Sequence, residues 1–253
     1  KKPKNPIPGT GFAGVVEAVG SAVESFKIGE RVFGETTLSF STNAEYVAVS
    51  EKGVILPMPD SMRYEEAASF CDGPLTSFNF LKAIAQIQPG EKVLINGAAG
   101  SLGSAAVQLA KYLGAEVTGV CSTGNVGLVK SLGADHVIDY RQQDFTQSDE
   151  KYDFIYDTVG KRSFSQSKRV LKPYGMYLSP VLKFPLLLQM IRTALFGRKK
   201  AKFAATGLKS ADELRDLLAK LLSIYQEGKL KPVIDRQFPL EKLAEAHRYI
   251  ELG

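Results

Sequence analysis

Residues 92–114 read Lys92-Val-Leu-Ile-Asn-Gly97-Ala-Ala-Gly100-Ser-Leu-Gly103-Ser-Ala-Ala-Val-Gln-Leu-Ala-Lys-Tyr-Leu-Gly114, and they decide the fold. The apolar run at 93–95 predicts a buried strand, and apolar residues that recur every three or four positions from Leu102 onward predict a helix that ends at Gly114. Three glycines lie between strand and helix, where the backbone can bend and approach a ligand closely. The helix start adds amide donors and a partial positive charge. The segment therefore predicts a turn that binds a pyrophosphate.

The spacing of the glycines limits which phosphate site this is. The pattern is G-x-x-G-x-x-G, a variant of the G-x-G-x-x-G fingerprint of dinucleotide-binding proteins. No Lys-Ser or Lys-Thr pair follows Gly103, so the segment is not a P-loop. The alternative is a plain tight turn, but the flanking strand and helix favour a dinucleotide-binding turn.

Composition excludes several classes of protein. The net charge of +5 over 253 residues fits an anionic cofactor, and the dense basic cluster Arg198-Lys199-Lys200-Ala-Lys202 is interpreted as a solvated loop, so nucleic acid is not an expected partner. Only two cysteines are present, which suits a reducing compartment, and we expect a cytoplasmic protein. No apolar run reaches the roughly 18 residues of a membrane span. The longest candidate, Phe184 to Phe196, is interrupted by Gln189 and Arg192, so no membrane partner is expected.

The order of elements predicts the fold class. The first part is β-rich, with a turn and a short strand within Phe26 to Gly34 and another strand of alternating polarity at Ala44 to Val49. From Lys92 onward strands and helices alternate, which predicts an α/β fold with a doubly wound parallel sheet that binds its ligand at the carboxyl ends of its strands. After Gly228 the pattern predicts a strand at Val233 to Phe238 and a further helix.

The end of the second strand of the parallel sheet indicates which coenzyme is bound. An acid there would bind the ribose hydroxyls of NAD and repel a 2′-phosphate. The sequence has Cys121-Ser122-Thr123 instead, and Lys130, Tyr140 and Arg141 are further donors. A charge-assisted hydrogen bond contributes roughly 1.5–3 kcal/mol, so we predict NADPH over NADH. In the alternative interpretation Ser122 and Thr123 only cap the next helix.

Six stretches together carry a family resemblance. They are Pro8-Gly-Thr-Gly-Phe-Ala-Gly-Val-Val-Glu-Ala-Val-Gly20, Gly29-Glu-Arg-Val-Phe-Gly34, Val93 to Lys111, Leu132-Gly-Ala-Asp-His-Val-Ile-Asp-Tyr140, Asp157-Thr-Val-Gly160 and Pro239-Leu-Glu-Lys-Leu-Ala-Glu-Ala-His247. With them the chain resembles the medium-chain dehydrogenase/reductase superfamily, in its zinc-free NADPH:quinone oxidoreductase (zeta-crystallin-like) branch. The resemblance implies a partial GroES-like catalytic domain at 1–74, a Rossmann domain at 75–228 and a return segment at 229–253, with more of the catalytic domain expected beyond both ends.

This chain differs from the zinc-dependent members of the superfamily at one motif. Where they place Gly-His-Glu, this chain has Gly9-Thr10-Gly11. Two cysteines and two histidines far apart in sequence assemble neither a catalytic nor a four-cysteine zinc site, so no metal is expected. His136 and His247 are interpreted as structural or surface residues.

The resemblance also implies a reaction and a set of site residues. Hydride would pass from NADPH to a quinone or an α,β-unsaturated carbonyl, and the protein would be a homodimer. The pyrophosphate would lie against Gly97, Ala98, Ala99, Gly100, Ser101, Leu102 and Gly103, the adenosine phosphate against Ser122, Thr123 and Tyr140, and the nicotinamide against Thr76, Val159 and Ser179. Thr76 is the one hydroxyl nominated near the reacting carbonyl, although packing or helix capping is an alternative role.

Two other classes of protein remain open from the sequence. A short-chain reductase also has a glycine turn, together with a Tyr-x-x-x-Lys motif. The segment Tyr225-Gln-Glu-Gly-Lys229 matches that motif but lies at a predicted helix end. A non-catalytic NADPH-binding sensor or structural protein of the same fold is the second alternative. The helix at Leu186 to Phe196 would cover the substrate pocket, form a subunit interface or pack in the core.

Overall fold

A computed structural model describes residues 6–252 of the chain. The chain divides into two compact units, the first formed by residues 1–72, 210–216 and 232–253 and the second by residues 73–209 and 217–231. The predicted domain limits at 74 and 228 stay a prediction.

The first unit contains a small antiparallel sheet. Strands β1 (Gly11–Val15), β2 (Arg31–Glu35) and β3 (Val54–Pro57) pair in the order β1-β2-β3, and helix α1 (Tyr64–Phe70) follows. Phe12, Val32 and Ile55 form a buried cluster on this sheet. The short strand expected within Phe26 to Gly34 is therefore confirmed, as is the β-rich character of this part of the chain.

Two strand predictions are wrong. Residues 44–49 and 233–238 form no strand, although both have the alternating or apolar composition of one. Alternation is a local property, whereas a strand needs a neighbour whose backbone groups face its own. Among the described residues, neither segment has such a neighbour, and Tyr46 lies 71% exposed.

The second unit is built on a six-stranded parallel sheet in the order β6-β5-β4-β7-β8-β9. Its strands are β4 (Lys92–Asn96), β5 (Glu116–Cys121), β6 (His136–Asp139), β7 (Tyr152–Asp157), β8 (Leu171–Ser179) and β9 (Lys200–Phe203). The order reverses between β4 and β7, so the loops after these two strands flank the switch point at which doubly wound sheets bind ligands. The predicted α/β doubly wound fold is confirmed.

The remaining helices precede the sheet, connect its strands or follow it in the chain, and the last of them belongs to the first unit. They are α2 (Gly73–Phe78), which continues in π geometry through Ile84, α3 (Ser101–Tyr112), α4 (Val126–Ser131), α5 (Phe164–Ser167), α6 (Phe184–Phe196), α7 (Ala211–Gln226) and α8 (Leu243–Leu252). The start of α7 has the predicted capping box, since Ser210 Oγ accepts from the Glu213 amide at 3.3 Å and Glu213 Oε2 accepts from the Ser210 amide at 3.1 Å. No described helix is long and apolar enough to cross a membrane.

Close packing of α3 on β4 depends on one glycine. A Cβ atom added at Gly103 would overlap the carbonyl oxygen of Gly97 and lie 2.7 Å from the Cα atom of Ala98. Both are backbone atoms of the turn, so they cannot move aside as a flexible side chain would. Gly103 therefore lets the helix start directly over the glycine turn.

We expect Gly103→Ala to lower the free energy of unfolding by roughly 1–3 kcal/mol, because overpacking against backbone forces the turn to shift. Urea denaturation followed by circular dichroism measures the change. Gly127 is the matched control, since it also lies in a helix but a Cβ atom there would meet nothing within 4 Å. Gly127→Ala should raise stability by about 0.5–1 kcal/mol, and equal effects at both positions would contradict this account.

Candidate dinucleotide-binding site

The glycine turn between β4 and α3 is held in place by the neighbouring strand. The amides of Gly97 and Ala98 both donate to the carbonyl of Val120 on β5, at 3.0 and 2.9 Å, and the Gly100 amide donates to the Gly97 carbonyl at 3.1 Å. Gly97 has φ of +85°, a left-handed conformation that favours glycine. The turn is thus fixed by the sheet before any ligand binds.

Four backbone amides at this turn are left without an acceptor. Within residues 6–252, no group accepts a hydrogen bond from the amide of Ala99, Ser101, Leu102 or Gly103. The last three are the first amides of α3, which have no carbonyl a turn earlier to pair with. Four free donors at the positive end of a 12-residue helix fit the oxygens of a pyrophosphate.

The middle glycine of the turn faces open space. A Cβ atom added at Gly100 would have only the Gly97 carbonyl oxygen near it, at 3.6 Å. Its φ of −76° is an ordinary value for any residue. Neither sterics nor backbone geometry requires glycine here, so a side chain at this position would add to the turn without displacing it.

Asp157 lies fully buried at the carboxyl end of β7, beside the turn. Its Oδ1 accepts hydrogen bonds from Asn96 Nδ2 at 2.9 Å and from the amides of Val159 and Gly160 at 3.2 and 3.0 Å. Its Oδ2 accepts from the hydroxyl of Tyr177 at 2.7 Å. Burial, the Asp157 charge and this hydrogen bond raise the pKa of Tyr177. The carboxylate therefore fixes the loop after β7 to the ends of β4 and β8.

The three residues expected at the nicotinamide lie in different surroundings. Val159 is 43% exposed in the loop after β7, and a Cβ atom on Gly97 would touch it. Ser179 is buried. Its hydroxyl donates to the Asp157 carbonyl at 3.1 Å and accepts from the Val181 amide at 3.2 Å. Both hydrogen bonds of the Ser179 hydroxyl are therefore made to backbone groups at the end of the sheet.

Thr76 lies on α2, which is attached directly to the helix of the glycine turn. The next residue, Ser77, donates its hydroxyl to the Leu102 carbonyl at 2.8 Å. A Cβ atom on Gly73, at the start of α2, would collide with Ser101. Thr76 itself is half-buried, and its hydroxyl bonds to no group in the part of the chain that the structure describes. Its proposed role near the reacting carbonyl stays a prediction.

The residues expected at the adenosine phosphate lie together at the ends of β5 and β6. Ser122 and Thr123 follow β5, and Tyr140 follows β6 with its amide bonded to the Cys121 carbonyl at 3.0 Å. Ser122 is the N-cap residue of the short helix at 123–125, but neither its hydroxyl nor that of Thr123 forms a side-chain cap there or on α4. Thr123 instead donates to Asp139 Oδ2 at 2.6 Å.

Asp139 is a residue of this corner that the sequence analysis missed. It ends β6, opposite Cys121 in the sheet, so the register brings its carboxylate next to the end of β5. Besides Thr123 it accepts from the Arg141 amide at 3.0 Å and from Gln142 Nε2 at 3.1 Å. The Thr123 hydrogen bond, followed by that of Arg141, lowers the pKa of Asp139. The sequence signal for Asp139 was its position directly before Tyr140, which the sequence analysis had already assigned to this corner.

Metal-ligating side chains do not gather anywhere in residues 6–252. No group of three or more His, Cys, Asp and Glu side chains there is placed to hold a metal ion. His136 starts β6, where its Nε2 lies 3.3 Å from Glu116 Oε1, and His247 is part of α8. Both cysteines are buried and unpaired.

One carboxyl group of the first unit has a raised pKa. Glu35 ends β2 half-buried, and burial, with the charge of Asp72 as the smaller cause, raises the pKa of Glu35 to about 7. A carboxyl with this pKa is about half protonated at neutral pH. No local pattern in the sequence marks Glu35, because a glutamate at a strand end gives no sign of its burial.

Comparison with known proteins identifies the family. Residues 1–60 match the profile described as "Alcohol dehydrogenase GroES-like domain", and residues 132–253 match that described as "Zinc-binding dehydrogenase". A 2-methylene-furan-3-one reductase from Solanum lycopersicum is 33% identical over 98% of this chain and 61% of that protein. The human quinone oxidoreductase is 30% identical over 100% of this chain and 78% of that protein.

Solved structures agree with the sequence relatives. A quinone oxidoreductase from Pseudomonas syringae pv. Tomato DC3000 matches with a TM-score of 0.85 at 30% identity, covering 99% of this chain and 80% of that one. The fold and the glycine turn are those of a dinucleotide-binding protein. The chain belongs to the medium-chain dehydrogenase/reductase superfamily, among its quinone oxidoreductase and enone reductase members. The short-chain reductase alternative is therefore wrong.

We expect Tyr177→Phe to lower the free energy of unfolding by roughly 1–3 kcal/mol, because the buried Asp157 carboxylate loses a donor. Thermal unfolding followed by circular dichroism measures the change. The matched control is Tyr112→Phe, which removes the hydroxyl of a tyrosine that is 42% exposed and should change stability by less than about 0.5 kcal/mol. Equal stability of the two variants would contradict a structural role for the Asp157–Tyr177 hydrogen bond.

Proposed function

We propose that this chain binds NADPH and directs a hydride from it to a quinone or an α,β-unsaturated carbonyl, without a metal ion. The observation that carries the proposal is the group of four acceptor-free amides at Ala99, Ser101, Leu102 and Gly103. They converge at the switch point of a doubly wound sheet, where this fold binds nucleotides. The pyrophosphate is the ligand group that satisfies them.

The residues of this chain hold and orient the coenzyme. The amides of α3 bind the pyrophosphate, and Asp157 fixes the loop that carries Val159 against the turn. When bound, the reduced nicotinamide supplies the hydride. Quinones and enones are already electrophilic, so their reduction does not require the Lewis acid that alcohol oxidation uses. The contribution of the protein is orientation and exclusion of water.

The preference for NADPH rests on the corner formed by Ser122, Thr123 and Tyr140. Tyr140 is 56% exposed, and its hydroxyl bonds to no described residue, so it is free to donate to a phosphate. Asp139 brings a carboxylate to this corner, but three donors hold it and Arg141 adds positive charge beside it. Because Thr123 already donates its hydroxyl to Asp139, the hydroxyls of Ser122 and Tyr140 and the charge of Arg141 are what favour a 2′-phosphate.

The acceptor class is supported by the relatives. The human protein is named a quinone oxidoreductase, and a relative from Arabidopsis thaliana, 31% identical over 97% of this chain and 61% of that protein, is named an NADPH-dependent alkenal/one oxidoreductase. Buried, unpaired Cys71 and Cys121 are consistent with a reducing compartment such as the cytoplasm. A homodimer is the assembly expected of this chain.

Turnover distinguishes the proposed enzyme from a non-catalytic NADPH-binding protein. We expect 9,10-phenanthrenequinone or an alkenal to accelerate the oxidation of NADPH, measured by the loss of absorbance of the reduced nicotinamide. NADH should be oxidised at least about tenfold less efficiently, because it lacks the 2′-phosphate bound at this corner. NADPH binding without turnover of either acceptor would indicate the sensor, and equal affinity for NADPH and NADH would contradict the coenzyme preference.

Gly100→Asp should weaken NADPH binding by about a hundredfold or more, since it places a carboxylate beside the pyrophosphate where like charges repel. Fluorescence titration of NADPH measures the dissociation constant. Gly100→Asn is the matched control, because it has the same shape without the charge and a side chain has room there. The proposed phosphate site would be refuted by two variants of equal affinity.

A further inference from the structure

Helix α6 presents an apolar face to solvent. Phe184, Leu187, Leu188, Ile191 and Leu195 are all exposed, with Phe184 at 73% and Leu195 at 69%. They occupy positions i, i+3, i+4, i+7 and i+11, which is one stripe along a helix. The last residue of the helix, Phe196, is 88% exposed and lies roughly a third of a turn around the helix from this stripe. We call the five residues Phe184, Leu187, Leu188, Ile191 and Leu195 the outer stripe.

The opposite face of the same helix holds it on the sheet. Leu186 is buried in the core of the second unit and Met190 packs against that core. Thr193 is also buried, and its hydroxyl accepts from the Ala201 amide of β9 at 3.2 Å. Because these residues secure the helix, the outer stripe is not needed for folding and lies on a rigid support.

The segment around α6 has an extreme distribution of charge. Residues 158–211 contain 12 Lys and Arg and no Asp or Glu, although the whole chain has 27 acidic residues. Arg192 and Arg198 are exposed and donate to no described group. Partial burial and the neighbouring charges of Lys168 and Lys151 lower the pKa of Lys199. Three of these cations pair with acidic residues outside the segment, Arg162 with Asp144, Arg169 with Asp149 and Lys172 with Asp153, whereas no ion pair is described for Arg192 or Arg198 beside the outer stripe.

We propose that the outer stripe and its basic surroundings bind the surface of an anionic phospholipid membrane. Phe and Leu side chains enter the boundary between headgroups and acyl chains, while Arg and Lys side chains contact the phosphates. A second copy of this chain is the poorer partner, since pairing two such faces brings positive segments together. The inference does not depend on the coenzyme or the acceptor.

Such binding does not require a membrane span. The expectation that the chain has no membrane partner rested on the absence of a run long enough to cross a bilayer, and no described helix is one. A helix that lies flat needs only an apolar stripe and flanking cations. The 13 residues of α6 are long enough for three helical turns of contact.

Sedimentation with vesicles tests the proposal on the whole 253-residue chain. We expect binding to vesicles of equal parts phosphatidylglycerol and phosphatidylcholine, little binding to phosphatidylcholine alone, and release by high salt. Ile191→Gln with Leu195→Gln should weaken binding about tenfold, as less apolar area enters the bilayer. Arg192→Gln with Arg198→Gln should also weaken it about tenfold, because each cation near an anionic surface contributes several-fold.

The control replaces two apolar residues of similar exposure elsewhere in the chain. Ile28 is 67% exposed and Ile250 75%, and both belong to the first unit. Ile28→Gln with Ile250→Gln should leave vesicle binding unchanged. Unaltered circular dichroism and melting temperature of each variant show that it is folded.

Three results would overturn the proposal. Wild-type protein that does not sediment with anionic vesicles is the first, and equal loss of binding in the control variant is the second. The third comes from analytical ultracentrifugation. The wild-type protein would be a dimer that does not bind vesicles, and Ile191→Gln with Leu195→Gln would convert it to a monomer. That result would make the outer stripe a contact between copies of the chain.

Discussion

The contact between the Gly97 carbonyl and the Cα atom of Gly103 is the constraint on which the nucleotide site depends. It exists because no Cβ atom stands between the turn and the first turn of α3. The helix can then begin over the end of β4, and its first amides remain without carbonyl partners. Binding of a pyrophosphate follows from a backbone arrangement, and the side chains of Ser101 and Leu102 contribute little to it.

Asp157 plays the corresponding part on the other side of the switch point. A buried carboxylate is tolerated only when its lone pairs are filled, and four donors from Asn96, Val159, Gly160 and Tyr177 fill them. These four hydrogen bonds offset the cost of burying the charge, and they fix the loop after β7. The two sides of the site are therefore rigid for different reasons, one steric and the other electrostatic.

The charge of the protein is unevenly arranged. A net charge of +5 suggests a surface on which positive and negative charges nearly balance, yet all the acidic residues lie outside residues 158–211. The average conceals a basic segment of the sequence that includes the apolar face of α6. The same helix supports the sheet through Leu186 and Met190 and presents Leu188 and Ile191 outward, so structural and surface roles share one element.

The sequence by itself determined the strand–turn–helix unit, the α/β order of elements and the place of Ser122 and Thr123 at the end of the second parallel strand, because these depend on local periodicity and on glycine. Only the tertiary structure decided that residues 44–49 and 233–238 form no strand, since pairing needs a distant partner. It also decided that Asp139 faces Thr123, that Ser179 is turned inward and that the outer stripe of α6 is exposed. Register and burial arise between segments far apart in the chain, and no local pattern contains them.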